Sequence, residues 1–158
     1  MKIYIASDHA GFELKKHLIG YFAESGIILI DKGPFAYVAG DDYPDWIAKA
    51  AEEVSKNPSE ARAIVIGLSG EGEALVANKF KNVRAGVFYT PIGSGKDAFE
   101  IVKLMREHND ANVLSLSAKF LKSEEAERAT DVFLETEFSG DARHERRIEK
   151  ITDLEQGR

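Results

Sequence analysis

Four short segments of this 158-residue chain gather residue types that can do chemistry. The first is Ser7-Asp8-His9-Ala10-Gly11, where a carboxylate and an imidazole stand side by side. Such a pair can share proton transfer and anion binding, although Asp also commonly caps a helix. The second is Gly67-Leu68-Ser69-Gly70-Glu71-Gly72-Glu73. Glycines ahead of a helix let backbone N–H groups face an anion, and the helix dipole favours negative charge there. The anion can be a phosphate or an enediolate that develops during a reaction. Glu73 then stands beside that hole as a base for a proton alpha to a carbonyl, or serves only as a favourable first-turn acid. The third is Arg106-Glu107-His108-Asn109-Asp110-Ala111-Asn112. A helix C-terminus favours protonated His108, which suits a proton donor, and a polar cap would use the same residues. The fourth, Arg143-His144-Glu145-Arg146-Arg147, is basic, and on a helix its Arg143 and Arg147 share a face. Paired guanidiniums suit a phosphate, and the same spacing suits an ion-paired solvent face.

Familiar alternatives fail on their spacing. Gly70-Glu71-Gly72-Glu73-Ala74-Leu75 lacks the third Gly of a dinucleotide fingerprint. Gly95-Lys96 has Thr90 where a Walker A loop needs Gly and Asp97 where it needs Ser or Thr. Ser69 lacks the leading Gly of a nucleophile elbow. There is no Cys, which excludes disulfides, thiolate zinc sites and thiol nucleophiles. His9, His17, His108 and His144 are scattered, so no metal is expected.

The elements that must position these segments alternate. Residues 3–6, 27–30, 63–66, 84–89 and 112–116 are short apolar runs that read as strands. Helices are expected over 12–24, from Pro44 to about Lys56, over 73–80 and 97–108, from an N-cap at Ser123 to about Glu135, and over about 143–154. Residues 32–43 read as a loop. Nearly continuous apolar strands between helices predict an α/β fold: a three-layer, Rossmann-like sandwich with a mostly parallel five-stranded sheet and helices on both faces. One domain over residues 1–158 is expected, with function at the carboxyl ends of the strands.

The balance of 21 basic against 27 acidic residues, net −6, argues against nucleic acid and anionic membrane as partners. No apolar run approaches the ~20 residues that span a bilayer. Met1 to Ile5 run straight into a strand pattern, so no signal peptide is expected and the expected location is cytoplasmic.

Taken together, the segments resemble the ribose-5-phosphate isomerase B family, which includes galactose-6-phosphate isomerase subunits. The carriers are Ala6 to Lys15, Asp42-Tyr43-Pro44-Asp45, Ser69 to Glu73 with Ala77-Asn78-Lys79, Arg106 to Leu114, and Arg143 to Arg147. The likeness spans Met1 to about Ile151. It implies interconversion of ribose 5-phosphate and ribulose 5-phosphate without metal or cofactor. It also implies a homodimer, or a tetramer of such dimers, whose sites draw on both subunits, with a C-terminal helix over about 143–155 at the interface. One branch of the family has a Cys base at the position of Gly67; the other has a Glu at the position of Glu73, and this chain resembles the second.

By the same resemblance, His108 and Asp8 open the sugar ring, Glu73 moves the proton between C2 and C1, and Ser69 assists between O1 and O2. Backbone N–H groups of Gly70, Glu71, Gly72 and Glu73 hold the enediolate. His9, Arg143 and Arg147 hold the phosphate with Lys119 nearby, and Tyr43 and Asn109 line the sugar site. The chain departs from the pattern at Leu68, usually Gly, and at Glu71, usually neutral and here expected to face solvent. Lys119 replaces a frequent Arg, keeping the charge but losing the bidentate fork. A longer stretch over 90–96 leaves open a six-carbon substrate such as allose or galactose 6-phosphate. A catalytically inactive sugar-phosphate-binding protein is the third reading.

Overall fold

The computed structural model describes residues 1–89 and 98–157. Five strands form one parallel sheet: β1 (Lys2–Ser7), β2 (Leu29–Asp31), β3 (Ala61–Gly67), β4 (Ala85–Phe88) and β5 (Val113–Ser117). Their order is β2-β1-β3-β5-β4. Six helices accompany them: α1 (Phe12–Glu24), α2 (Tyr43–Lys56), α3 (Glu71–Ala77), α4 (Glu100–Asn109), α5 (Ser123–Glu135) and α6 (Ala142–Glu155).

The strands are apolar on both faces because both faces are covered. Ile3, Ile5, Ile64, Ile66, Leu114 and Leu116 pack against Leu18 and Phe22 of α1, Val102 of α4, and Ala126, Ala129 and Phe133 of α5. The alternate residues Tyr4, Ala6, Ala63, Val65 and Val113 meet α2 and α3. From α2 come Ile47, Ala50, Ala51 and Val54, the i, i+3, i+4, i+7 stripe of an amphipathic helix. The expected Rossmann-like three-layer sandwich is the observed one.

Several boundaries move, each for a local reason. Strand β2 starts at Leu29, not at 27, because Gly26 (φ +75°) and Ile27 terminate α1: their N–H groups bond Ala23 O and Phe22 O. Helix α3 starts at Glu71 rather than 73, since Gly70 adopts φ +85° and turns the chain at once. It ends at Ala77 rather than 80, and the Asn78 side chain then bonds both the N–H and the carbonyl of Ala85. Ser123 is the first residue of α5 and not its cap. Lys122 precedes the helix, its N–H bonded to the Glu125 carboxylate at 2.8 Å. Helix α4 begins at Glu100, after a turn at Phe99, and ends at Asn109; Asp97 lies outside the described residues.

Lys15 is fully buried. Its ammonium lies 2.7 and 2.9 Å from the Asp31 carboxylate oxygens and also donates to Pro34 O, beyond a cis Gly33–Pro34 bond. This clamp fixes the start of the 32–42 loop against α1. Removing Asp31 strands a buried cation, so Asp31→Ala should cost about 3 kcal/mol in urea unfolding, whereas Lys15→Met should cost much less.

Candidate active site

The carboxyl ends of β1 and β3 bring the first two segments together. Asp8 is buried, and its carboxylate accepts the Gly11 N–H at 3.1 Å, so it does cap the turn into α1. Gly11 is required there, because a Cβ would press on the Ile66 carbonyl of β3.

Glu73 is 3% exposed. Its carboxyl occupies the space where a side chain on Gly67 would stand, and a Cβ on Gly67 would overlap it. Burial pushes its pKa up and nearby Asp8 adds to the rise; the N–H groups of Glu73 itself and of Gly70 pull it back.

Two buried hydroxyls hold the glycine loop from below. Ser115 Oγ of β5 donates to Gly70 O at 2.6 Å, and Ser117 Oγ donates to Leu68 O at 2.7 Å. The Lys119 N–H bonds Leu68 O at 3.1 Å, which places Lys119 beside the loop with its side chain exposed. Ser69 is half-buried and its Oγ accepts the Glu71 N–H at 3.3 Å; the Glu71 side chain is exposed, as expected. The Tyr43 ring lies over Gly72, where a Cβ would come within 2.9 Å of it.

Asp41 joins the site with no motif to mark it beforehand. One of its oxygens accepts both the backbone N–H of His9 and the ring Nδ1–H, each at 2.8 Å, and the other accepts Trp46 Nε1–H at 2.7 Å. The His9 pKa is raised, first by the Asp41 hydrogen bond and also by the charges of Asp8 and Asp41, against the opposing pull of burial.

A second group sits at the other end of the sheet. Helix α4 runs back against the strands, so His108 and Asn109 lie at its C-terminus, ahead of β5. Asp110 leaves the helix at φ +44° and is clamped between Arg84 (2.7 Å) and Arg106 (2.8 Å). Arg84 Nε also donates to the carbonyls of Asn109 and Asp110. The His108 ring stacks on His144 of α6, centroids 4.3 Å apart. Burial, then His108 and the neighbouring arginines, push the His144 pKa down, with Asp141 opposing. Neutral His144 accepts Arg143 Nε–H at 3.2 Å, and Arg143 and Arg147 are exposed beside it.

One chain thus assembles Asp8, His9, Tyr43, Ser69, Gly70, Glu71, Gly72, Glu73 and Lys119 at one end. It holds His108, Asn109, Arg143 and Arg147 at the other. The first end carries a buried carboxyl, a glycine loop and a histidine. The second carries an imidazole and a basic patch. The stretch at 90–96 lies outside the described residues.

Residues 3–151 match the family model described as Ribose/Galactose Isomerase. The chain is 37% identical over 155 residues to the ribose-5-phosphate isomerase B of Mycolicibacterium paratuberculosis, covering 98% of this chain and 92% of that one. It is 33% identical to the Escherichia coli protein of the same name, covering 99% and 98%. Among solved structures, ribose-5-phosphate isomerase B from Mycoplasma genitalium with bound ribulose-5-phosphate superposes with a TM-score of 0.90. That match is 36% identical and covers 99% of this chain and 97% of that one.

Proposed function

Because the chain belongs to the ribose/galactose isomerase family, we propose that it interconverts ribose 5-phosphate and ribulose 5-phosphate through an enediolate, with Glu73 as the base. The chain is an aldose–ketose isomerase of the ribose-5-phosphate isomerase type acting on a phosphorylated sugar. The observation that carries the choice of base is the seating of the Glu73 carboxyl in the space left by Gly67.

Asp8 takes the anomeric hydroxyl proton while His108 protonates the ring oxygen, and the furanose opens. Glu73 then removes the C2 proton, and negative charge builds on O1 against the backbone N–H groups of the 70–73 turn. Ser69 lets a proton pass from O2 to O1, and Glu73 returns its proton to C1. One C–H bond breaks and one forms, so no redox partner is needed. Each well-placed donor to the developing oxyanion contributes about 3 kcal/mol, and the base about 10²- to 10⁴-fold.

Within one chain, His108, Asn109, Arg143 and Arg147 lie at the end of the sheet opposite Glu73. The reading therefore takes them from a second copy in a homodimer. Edge strand β4 and helix α6 suit that contact: Val83, Ala85, Gly86 and Met105 line a groove of about 560 Å³ with Ile151 and Leu154, which are 42% and 75% exposed.

The test is turnover of ribose 5-phosphate by the purified protein, with allose and galactose 6-phosphates as competing substrates. Glu73→Gln and His108→Asn should each be nearly inactive alone. Unfolded together and refolded at equal amounts, they should regain about one quarter of parent activity, since half the dimers are mixed and each mixed dimer has one intact site. Parent turnover without that recovery would overturn the shared site. No parent turnover of ribose 5-phosphate would overturn the substrate.

A further inference from the structure

We propose that Asp41 is a positioning residue for the phosphate end of the site, fixing the His9 imidazole by its Nδ1 so that Nε2 is presented to a phosphate. The inference rests on the reading of His9 as a phosphate ligand.

The geometry is specific. An ionised carboxylate can only accept, so the 2.8 Å contact assigns a proton to His9 Nδ1 and leaves Nε2 as the outward nitrogen. The second 2.8 Å bond, from the His9 backbone N–H to the same oxygen, locks the ring to its own main chain. Trp46 holds the other oxygen at 2.7 Å, so the carboxylate cannot rotate away. Burial alone would raise the Asp41 carboxyl; its donors outweigh that and hold it below the ordinary carboxylate value.

Asp41 is itself anchored. Trp46 packs over Gly33, whose φ of +106° and missing Cβ make room for the indole, and the Lys15–Asp31 clamp fixes the same turn. The charged groups facing His9 are Asp41 and, at 3.9 Å, Asp8 Oδ2; Tyr37 presents a ring edge at 6.5 Å. Glu73 stands behind Asp8. The two carboxylates make this corner acidic, and a protonated His9 offsets them for an anion.

Three substitutions test this: Asp41→Asn, Asp41→Glu, and Asp41→Asn in a His9→Asn background. Measured are His9 ring titration by NMR, phosphate affinity by fluorescence of Trp46, the only tryptophan, and steady-state kinetics. In Asp41→Asn the His9 pKa should fall. Inorganic phosphate should bind about tenfold more weakly at pH 8, with the loss shrinking as pH falls and the ring takes up its proton without Asp41. KM should rise about tenfold with kcat within about threefold.

Asp41→Glu should restore most of the loss. Asp41→Asn in the His9→Asn background should add less than about twofold. An unchanged His9 titration overturns the proposal, as does a lowered one with unchanged phosphate affinity. So does an undiminished loss in the His9→Asn background, which would make Asp41 merely structural. A lowered pKa with weaker phosphate binding, in a parent that does not isomerise ribose 5-phosphate, upholds Asp41 and overturns only the assigned reaction.

Discussion

Glu73→Gln is expected to lower kcat for ribose 5-phosphate by at least about 10²-fold with little change in KM. The amide keeps the shape of a side chain that is 3% exposed, so the fold should survive and the loss should report the missing base. Burial, helped by Asp8, holds the carboxyl above its ordinary value. The base must be ionised to work, so the acidic limb of kcat/KM should fall above the usual carboxylate range and vanish in the variant.

The same shift predicts the sign of a stability effect. A carboxyl whose folded pKa is raised contributes stability below its unfolded pKa and loses it as pH rises through the folded value. Glu73→Gln should therefore be more stable than the parent at neutral pH and no more stable in acid, read by thermal unfolding at both. A variant that keeps full turnover would leave the reaction standing and remove Glu73 as its base.

Gly67→Ala is the second large effect, and it comes from one methyl group. The added Cβ would overlap the Glu73 carboxyl, the far end of a flexible side chain, which must then move out of its seat. Because that side chain can swing aside, the cost to stability should be small, while displacement of the base should lower kcat by about 10²-fold. Backbone strain is not the cause, because Gly67 does not adopt a left-handed φ.

The resemblance aligns Gly67 with the Cys base of the family's other branch, and a side chain there would enter the volume that the Glu73 carboxyl fills. Gly67→Cys combined with Glu73→Ala should recover at least about tenfold over Glu73→Ala alone, through a thiolate in the vacated space. Full activity in Gly67→Ala would mean that the base works from somewhere else.

Much of this was legible in the sequence because it depends on short-range rules. Helix α1 spans Phe12–Glu24, the range its spacing predicts, since apolar periodicity and a terminating Ser-Gly act within a turn or two. The alternation of apolar runs and helices determined the parallel sheet, because both strand faces must be covered. Gly-rich chain between a strand and a helix marked the loop at 67–73, and adjacent Asp8 and His9 marked the turn after β1.

What only the tertiary structure decided are contacts between residues far apart in the chain. Asp41 reaches His9 across 32 positions, and Ser115 and Ser117 reach Gly70 and Leu68 across 45 and 49. Those meetings exist because the strand order sets β2 beside β1 and β3 beside β5, and no local pattern encodes that order. Buried Lys15 carries the same lesson, for a lysine in a helical run reads as solvent-facing until Asp31 is folded over it. The sequence also grouped His108 and Arg143 with Glu73 as one chemistry. Folding puts them at opposite ends of a single sheet, because α4 must run antiparallel to the strands it connects.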